Sequence, residues 1–208
     1  MKGLKPILTV FFVFSTLLFS CEEEYSCGPY FPYFKIQDVK SVNLIFTNTR
    51  SNPWAPIDES EPVNWNEYFI RVVFDVEYHA SKKESRSGGA NLYALSCIES
   101  GSEGSKAGVD TLFVVTLNDY NQNYKANDTI NNIVLLNNWT HFIEDYNEFY
   151  PLARYIEENK EGVVDRSFEI KFKEEPQEVT SEQKFKIIYH LNNGDTFETT
   201  TRAVTLSK

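Results

Sequence analysis

Alternation of apolar and polar positions is the clearest pattern along this chain. From Phe69 to Tyr78, Ile70, Val72, Phe74, Val76 and Tyr78 share one face while Arg71, Asp75 and Glu77 share the other. That is the period of a strand with one wet face. The same alternation runs through Phe168, Ile170 and Phe172 against Glu169, Lys171 and Lys173, and through Phe185, Ile187, Tyr189 and Leu191. The last run leads into Asn192-Asn193-Gly194-Asp195 and then Thr196 to Thr201. Asn-Gly between alternating runs predicts a hairpin, because those residues tolerate positive φ. Phe34 to Thr47 reads as a strand in which Val42, Leu44 and Phe46 alternate with Ser41, Asn43 and Ile45. Leu92–Ile98 is a further strand, and Thr111–Leu117, apolar on both faces, is expected at the centre of its sheet.

The period changes once. Phe142, Tyr146, Phe149, Tyr150, Ala153 and Ile156 fall at helical spacing between Thr140 and about Asn159, with Pro151 expected to kink the helix or split it in two. Polar loops separate these elements at Asn48–Asn66, Ser81–Gly89, Glu99–Gly108 and Asn118–Asn138. Seven or so short strands with turn signals between them and one helical insertion predict a mostly β chain, an immunoglobulin-like antiparallel β-sandwich. The aromatic share of 15%, mostly Phe and Tyr, fits strands and supplies apolar area for a core.

The first residues read differently. Lys2 and Lys5 precede an apolar run from Pro6 to Phe19, and Ser20-Cys21 closes it. A charged start, an apolar middle and a small residue before the cut form the layout of a secretory signal. A cysteine just after the cut is what a lipoprotein signal requires, since its thiol receives the diacylglycerol. The expected organisation is therefore a signal peptide over 1–20, a lipidated acidic tether over 21–33 and one β-sandwich domain over 34–208, with the helical insertion near 140–159. The apolar run is shorter than the roughly 20 residues of a comfortable membrane span. Acyl chains bind membranes through about 0.8 kcal/mol per buried methylene, so several together anchor firmly.

Without Lys2 and Lys5 the chain keeps 18 basic residues against 30 acidic ones. That balance argues against nucleic acid and against anionic membrane surfaces, both of which need clustered Lys and Arg. Glu22-Glu23-Glu24 follow the cysteine directly. With the signal layout, this resembles the uncharacterised lipoproteins of Bacteroides-type bacteria, in which an acidic run after the lipidated cysteine marks export to the outer leaflet of the outer membrane. The same three glutamates also suit an extended, self-repelling tether. The resemblance implies an outer-membrane lipoprotein at the cell surface, or otherwise one facing the periplasm. Exported proteins of these bacteria carry O-glycans at Asp-Ser/Thr followed by a small or aliphatic residue. Asp110-Thr111-Leu112 and Asp128-Thr129-Ile130 match, making Thr111 and Thr129 candidates. Turn chemistry explains Asp-Thr equally well.

Cys27 and Cys97 remain after Cys21. In an oxidising envelope they read as a disulfide, and the alternative is two unpaired thiols with Cys97 buried beside Leu95 and Ile98.

Catalytic signals are sparse. His79, His141 and His190 are isolated, with no metal-ligand spacing among them, and His190 alternates with core positions on a predicted strand. Asp119-Tyr-Asn121-Gln-Asn123 resembles the opening of a calcium loop. Tyr124 stands where that loop needs Gly, however, and Ile130 where it needs the bidentate Glu, so a solvated Asn-rich loop is the better reading. No nucleophile elbow or phosphate-binding loop occurs. The expectation is a chain that is not an enzyme and carries no cofactor or metal.

Trp54 and Trp65, in a Pro-containing loop, are the binding candidates. An exposed indole gives a flat apolar platform for a sugar ring or a protein partner, whereas a buried one plugs the sandwich edge. The leading expectation is a non-catalytic envelope lipoprotein that binds a glycan or a protein. Its rivals are a periplasm-facing accessory subunit and a hydrolase with an unrecognised site.

Overall fold

The computed structural model describes residues 29–47, 54–57, 61–79, 98–138, 149–177 and 180–208. Cys21, Cys27, Cys97, His141 and the run 139–148 lie outside the described residues, as does most of the expected strand Leu92–Ile98. One compact unit spans Phe31–Lys208.

Strands dominate. In chain order they are β1 (Tyr33–Phe46), β2 (Trp54–Pro56), β3 (Val63–Asn64), β4 (Tyr68–His79), β5 (Val109–Thr116), β6 (Val134–Asn138), β7 (Tyr150–Pro151), β8 (Ser167–Phe172), β9 (Thr180–Gln183), β10 (Phe185–Leu191), β11 (Thr196–Thr200) and β12 (Val204–Ser207). The single described α-helix, α1, covers Leu152–Glu158. The larger sheet runs β2-β1-β4-β8-β6-β7, and a three-stranded sheet runs β11-β10-β5. Seven strands have five residues or more: β1, β4, β5, β6, β8, β10 and β11. Lettered A to G, they order as A-B-E-D in one sheet and C-F-G in the other, which is the immunoglobulin arrangement. A small third sheet, β3-β12-β9, closes one end, and its β3–β12 pair is the one parallel pairing among the described strands.

The core lies between the two main sheets, and aromatic rings fill it. Phe172 stacks on Phe185 at 4.7 Å, Tyr155 meets Phe168 at 4.8 Å and Phe74 meets Tyr189 at 5.2 Å. Such pairs contribute about 0.5–1.5 kcal/mol each beyond the area they bury. The buried hydroxyls find partners, as burial requires. Tyr68 donates to Asn43 Oδ1 at 2.9 Å, Tyr120 donates to the Glu174 carbonyl at 2.6 Å, and the Tyr155 and Tyr189 hydroxyls share a bond at 3.0 Å.

The β10–β11 hairpin forms as expected. Gly194 N–H donates to Leu191 C=O, and Gly194 alone in this turn takes positive φ, at 91°. The faces of β4 also follow the alternation, with Ile70, Val72 and Phe74 buried against exposed Asp75 and Glu77.

Other elements depart from the sequence reading. β5 is an edge strand, not a central one. Its two-sided apolar character has another cause. α1 packs beside it, and the segment 127–131 covers its free edge. There Asn127 N–H donates to Thr116 C=O, Ile130 N–H donates to Val114 C=O, and the Asn131 side chain bonds Leu112 C=O and Val114 N–H. Pro151 does interrupt the expected helix, as its position foretold, but what precedes α1 directly is the strand pair Tyr150–Pro151, with Pro151 at φ −57° and ψ 144° as the N-cap. The buried side of α1 is Leu152 and Tyr155, while Ala153 faces solvent. β6 lies inside the Asn-rich stretch, and β2 and β3 lie inside the polar loop 48–66.

Candidate functional site

Six residues separate β2 from β3, which pairs in parallel with β12, register Leu206↔Val63 and Ser207↔Asn64. This brings the C-terminal Lys208 toward the turn that follows β3. Asn64 caps that turn, its side chain accepting from Asn66 N–H at 2.9 Å, and Trp65 is its first residue. Trp65 is half-buried. One side of it packs against the core, and the side chain also lines a cleft of about 550 Å³.

The far wall comes from two distant loops. Tyr120 is fully buried and joins them: its carbonyl accepts from Gln177 N–H at 2.8 Å, its hydroxyl donates to Glu174 C=O and its N–H donates to Tyr124 C=O at 3.0 Å. Burial and the nearby Glu174 and Glu175 carboxylates push this hydroxyl far above its ordinary pKa, so it stays a donor. Asn121, Gln122 and Asn123 form one lip, and Glu174, Glu175, Pro176 and Gln177 form the other.

The charges in the cleft are engaged. Asn121 Nδ2 donates to Glu174 Oε2 at 3.1 Å, Lys208 Nζ sits 3.1 Å from Glu175 Oε1, and Lys173 Nζ donates to Asn132 C=O at 3.0 Å. The cleft therefore offers an aromatic face, several amides and paired charges.

The loop that resembles a calcium site spends its oxygens on its own backbone. Asp119 Oδ1 accepts from Ala126 N–H and Oδ2 meets Lys125 Nζ. Asn121 Oδ1 accepts from Asn123 and Tyr124 N–H, and Asp128 Oδ2 accepts from Lys125 N–H. The Ala126 amide, followed by Lys125, holds the Asp119 carboxyl below its ordinary range. Ile130, at the position of the bidentate Glu, is fully buried. Among the described residues no group of three His, Cys, Asp or Glu is placed to hold a metal. His79 stacks on Tyr33, and His190 bonds Thr196 Oγ1 on the solvent side of β10.

The remaining sequence candidates are spread out. The Trp54 main chain pairs with Phe46 at the β2 edge, while its side chain lies outside the described residues. Thr111 is half-exposed on β5 opposite His190, and Thr129 is exposed beside Val115 of the same strand. Among the described residues, Trp65 is thus the one site candidate that the fold seats in a cleft. Its partners, Tyr120 and the 174–177 lip, carried no signal beyond an aromatic residue inside an Asn-rich loop.

No protein-family model matches this sequence, and no curated protein is significantly similar to it.

Proposed function

We propose that this chain is a non-catalytic lipoprotein of the outer membrane, anchored through Cys21 and exposed at the cell surface, that binds a glycan in the Trp65 cleft. The observation that carries the reading is Trp65 itself, seated by a capped turn at the mouth of a cleft whose lips are amides and paired charges. An indole face suits the C–H face of a sugar ring, and amides suit its hydroxyls. The lipobox layout and the acidic run after Cys21 support the address. β1 enters at Tyr33, opposite His79, whereas Trp65 precedes Tyr68 at the other end of β4. Twelve residues of strand separate those ends by roughly 35 Å at about 3.3 Å per residue. The cleft thus lies at the end of the domain far from where β1 begins. Thr111 and Thr129 remain the O-glycan candidates of this reading.

Glycan-array screening of the mature lipoprotein in detergent, followed by titration of any hit, tests the function. Trp65→Ala is expected to weaken binding at least tenfold, in a protein that stays folded but melts somewhat lower because one side of the indole packs against the core. Absence of any bound glycan, or full binding by Trp65→Ala, would sink it. Protease shaving of intact cells tests the address separately, since only an outward-facing protein is lost.

A further inference from the structure

Each charged side chain that lines the Trp65 cleft already has a partner. Lys208 Nζ sits 3.1 Å from Glu175 Oε1, Glu174 Oε2 accepts from Asn121 Nδ2 at 3.1 Å, and Lys173 Nζ donates to Asn132 C=O at 3.0 Å. Two lysines and two glutamates line the cleft, so their side-chain charges sum to zero.

The groups left over are amides. The exposed side chains of Gln122, Asn123 and Gln177 line the cleft and make no hydrogen bond among the described residues. A primary amide both donates and accepts, as a sugar hydroxyl or an acetamido group does, whereas an ammonium only donates and a carboxylate only accepts. These amides stand on a preformed frame. Gln177 N–H donates to Tyr120 C=O, and Asn121 ties its own lip to Glu174 on the other. Lips held in this way spare a ligand the cost of ordering them.

The Lys208–Glu175 pair is solvent-exposed, so it adds little stability of its own. Its effect comes through exchange. A sugar carboxylate or sulfate that took Lys208 would turn Glu175 loose in the same cleft, next to Glu174, and meet two like charges. A sugar ammonium that took Glu175 would release Lys208 against itself in the same manner. Like charges gathered in one cleft repel. The 18 basic residues against 30 acidic ones add a wider field that turns anions away. Resting on the glycan reading of this cleft, we propose that its ligand is an uncharged glycan, of hexose or N-acetylhexosamine units, and that the Lys208–Glu175 pair sets this selectivity.

An array of neutral hexose and N-acetylhexosamine oligomers, set beside uronate-, sulfate- and free-amine-bearing ones and probed with the mature lipoprotein in detergent, tests the class. Neutral oligomers are expected to bind, with an affinity that does not change between low and high salt. Glu175→Gln leaves Lys208 unpaired and is expected to raise the ratio of acidic to neutral affinity about tenfold, a gain lost at high salt. Lys208→Gln is expected to raise the ratio of amine-bearing to neutral affinity in the same way. Melting curves of both variants check that a changed ratio reflects the cleft and not the fold. A parent protein that prefers charged oligomers, and loses them in Trp65→Ala, would overturn the uncharged class while leaving glycan binding in place. Ratios that neither variant moves would overturn the role of the pair. A silent array would sink glycan binding itself and this proposal with it.

Discussion

The two faces of the β1–β4–β8–β6 sheet arise from one alternation yet live in different surroundings. The inner face is dry over most of its length: Phe34, Ile36 and Val39 on β1, Ile70, Val72 and Phe74 on β4, and Phe168, Ile170 and Phe172 on β8. The outer face divides along its length. Toward the Tyr33 end it carries Asp38, Lys40, Asp75 and Glu77, all exposed, with Lys40 and Asp75 paired at 2.9 Å. Toward the other end it is also dry. Leu44 and Phe69 are buried against Phe46 and Phe149, and Lys171 lies over the Phe69 and Phe149 rings. Beside them Arg71, Glu169 and Asn137 share one register row, with Glu169 at 0% exposure. Alternation sorts side chains into two sets. It does not say which set is dry, because that depends on what lies beyond the sheet.

The inner face is expected to fail most dramatically at alkaline pH. Tyr68, Tyr120, Tyr155 and Tyr189 are held protonated in the fold chiefly by burial, and Tyr150 is pushed up to about 12 by the same cause. Unfolded tyrosines ionise near 10. A group whose pKa is raised in the fold contributes its full stability below the unfolded value and loses it as pH climbs toward the folded value. The melting temperature is therefore expected to hold to about pH 10 and to fall steeply from there through 12. Absorbance at 295 nm should rise in step with unfolding. Smooth ionisation of these tyrosines in a protein that keeps its tertiary circular dichroism would contradict the account.

A smaller effect separates the faces by mutation. Phe168 touches Tyr155, Phe74 and Tyr189. Phe168→Ala is expected to cost about 3–5 kcal/mol in urea unfolding, the range for emptying an aromatic core position. On the outer face, Arg71→Ala takes the guanidinium from a fully buried Glu169, 2.8 Å away, and is expected to cost about 3 kcal/mol. Were Arg71→Ala neutral, the row would be an ordinary wet surface and the division of the outer face would be wrong.

Legibility in the sequence follows from the range of the interactions involved. β4 and the β10–β11 hairpin were readable because alternation and an Asn-Gly turn are local signals. In β1 the two sets separated correctly, but Ser41 and Asn43 turn out to face inward, where Ser41 meets Thr199 and Asn43 meets Tyr68 and the Arg202 carbonyl. Those partners sit far away in the chain, so nothing near Ser41 announces them. β6 escaped notice because buried Asn137 and Asn138 end it in the composition of a loop. β5 was placed at the centre of its sheet because neither α1 nor the 127–131 cover can be foreseen from the strand itself. The cleft was half legible. Trp65 stood out as a large aromatic residue among polar neighbours, whereas its opposite lip depends on Tyr120 bridging loops more than fifty residues apart.

The length of the β1–β4 pairing has a mechanical consequence. Its twelve register pairs run from Tyr33↔His79 at one end of the sandwich to Ile45↔Tyr68 at the end that holds Trp65. A pull between the chain entering at Tyr33 and the turn that carries Trp65 would act along these strands, not across them. The pairs would then bear the load together, as rivets in a lap joint do, instead of opening one after another like a zip. A pulling experiment through the chain before Tyr33 and a handle at exposed Glu67, just ahead of β4, is expected to meet its highest force at the first yield, before either strand has left the sheet.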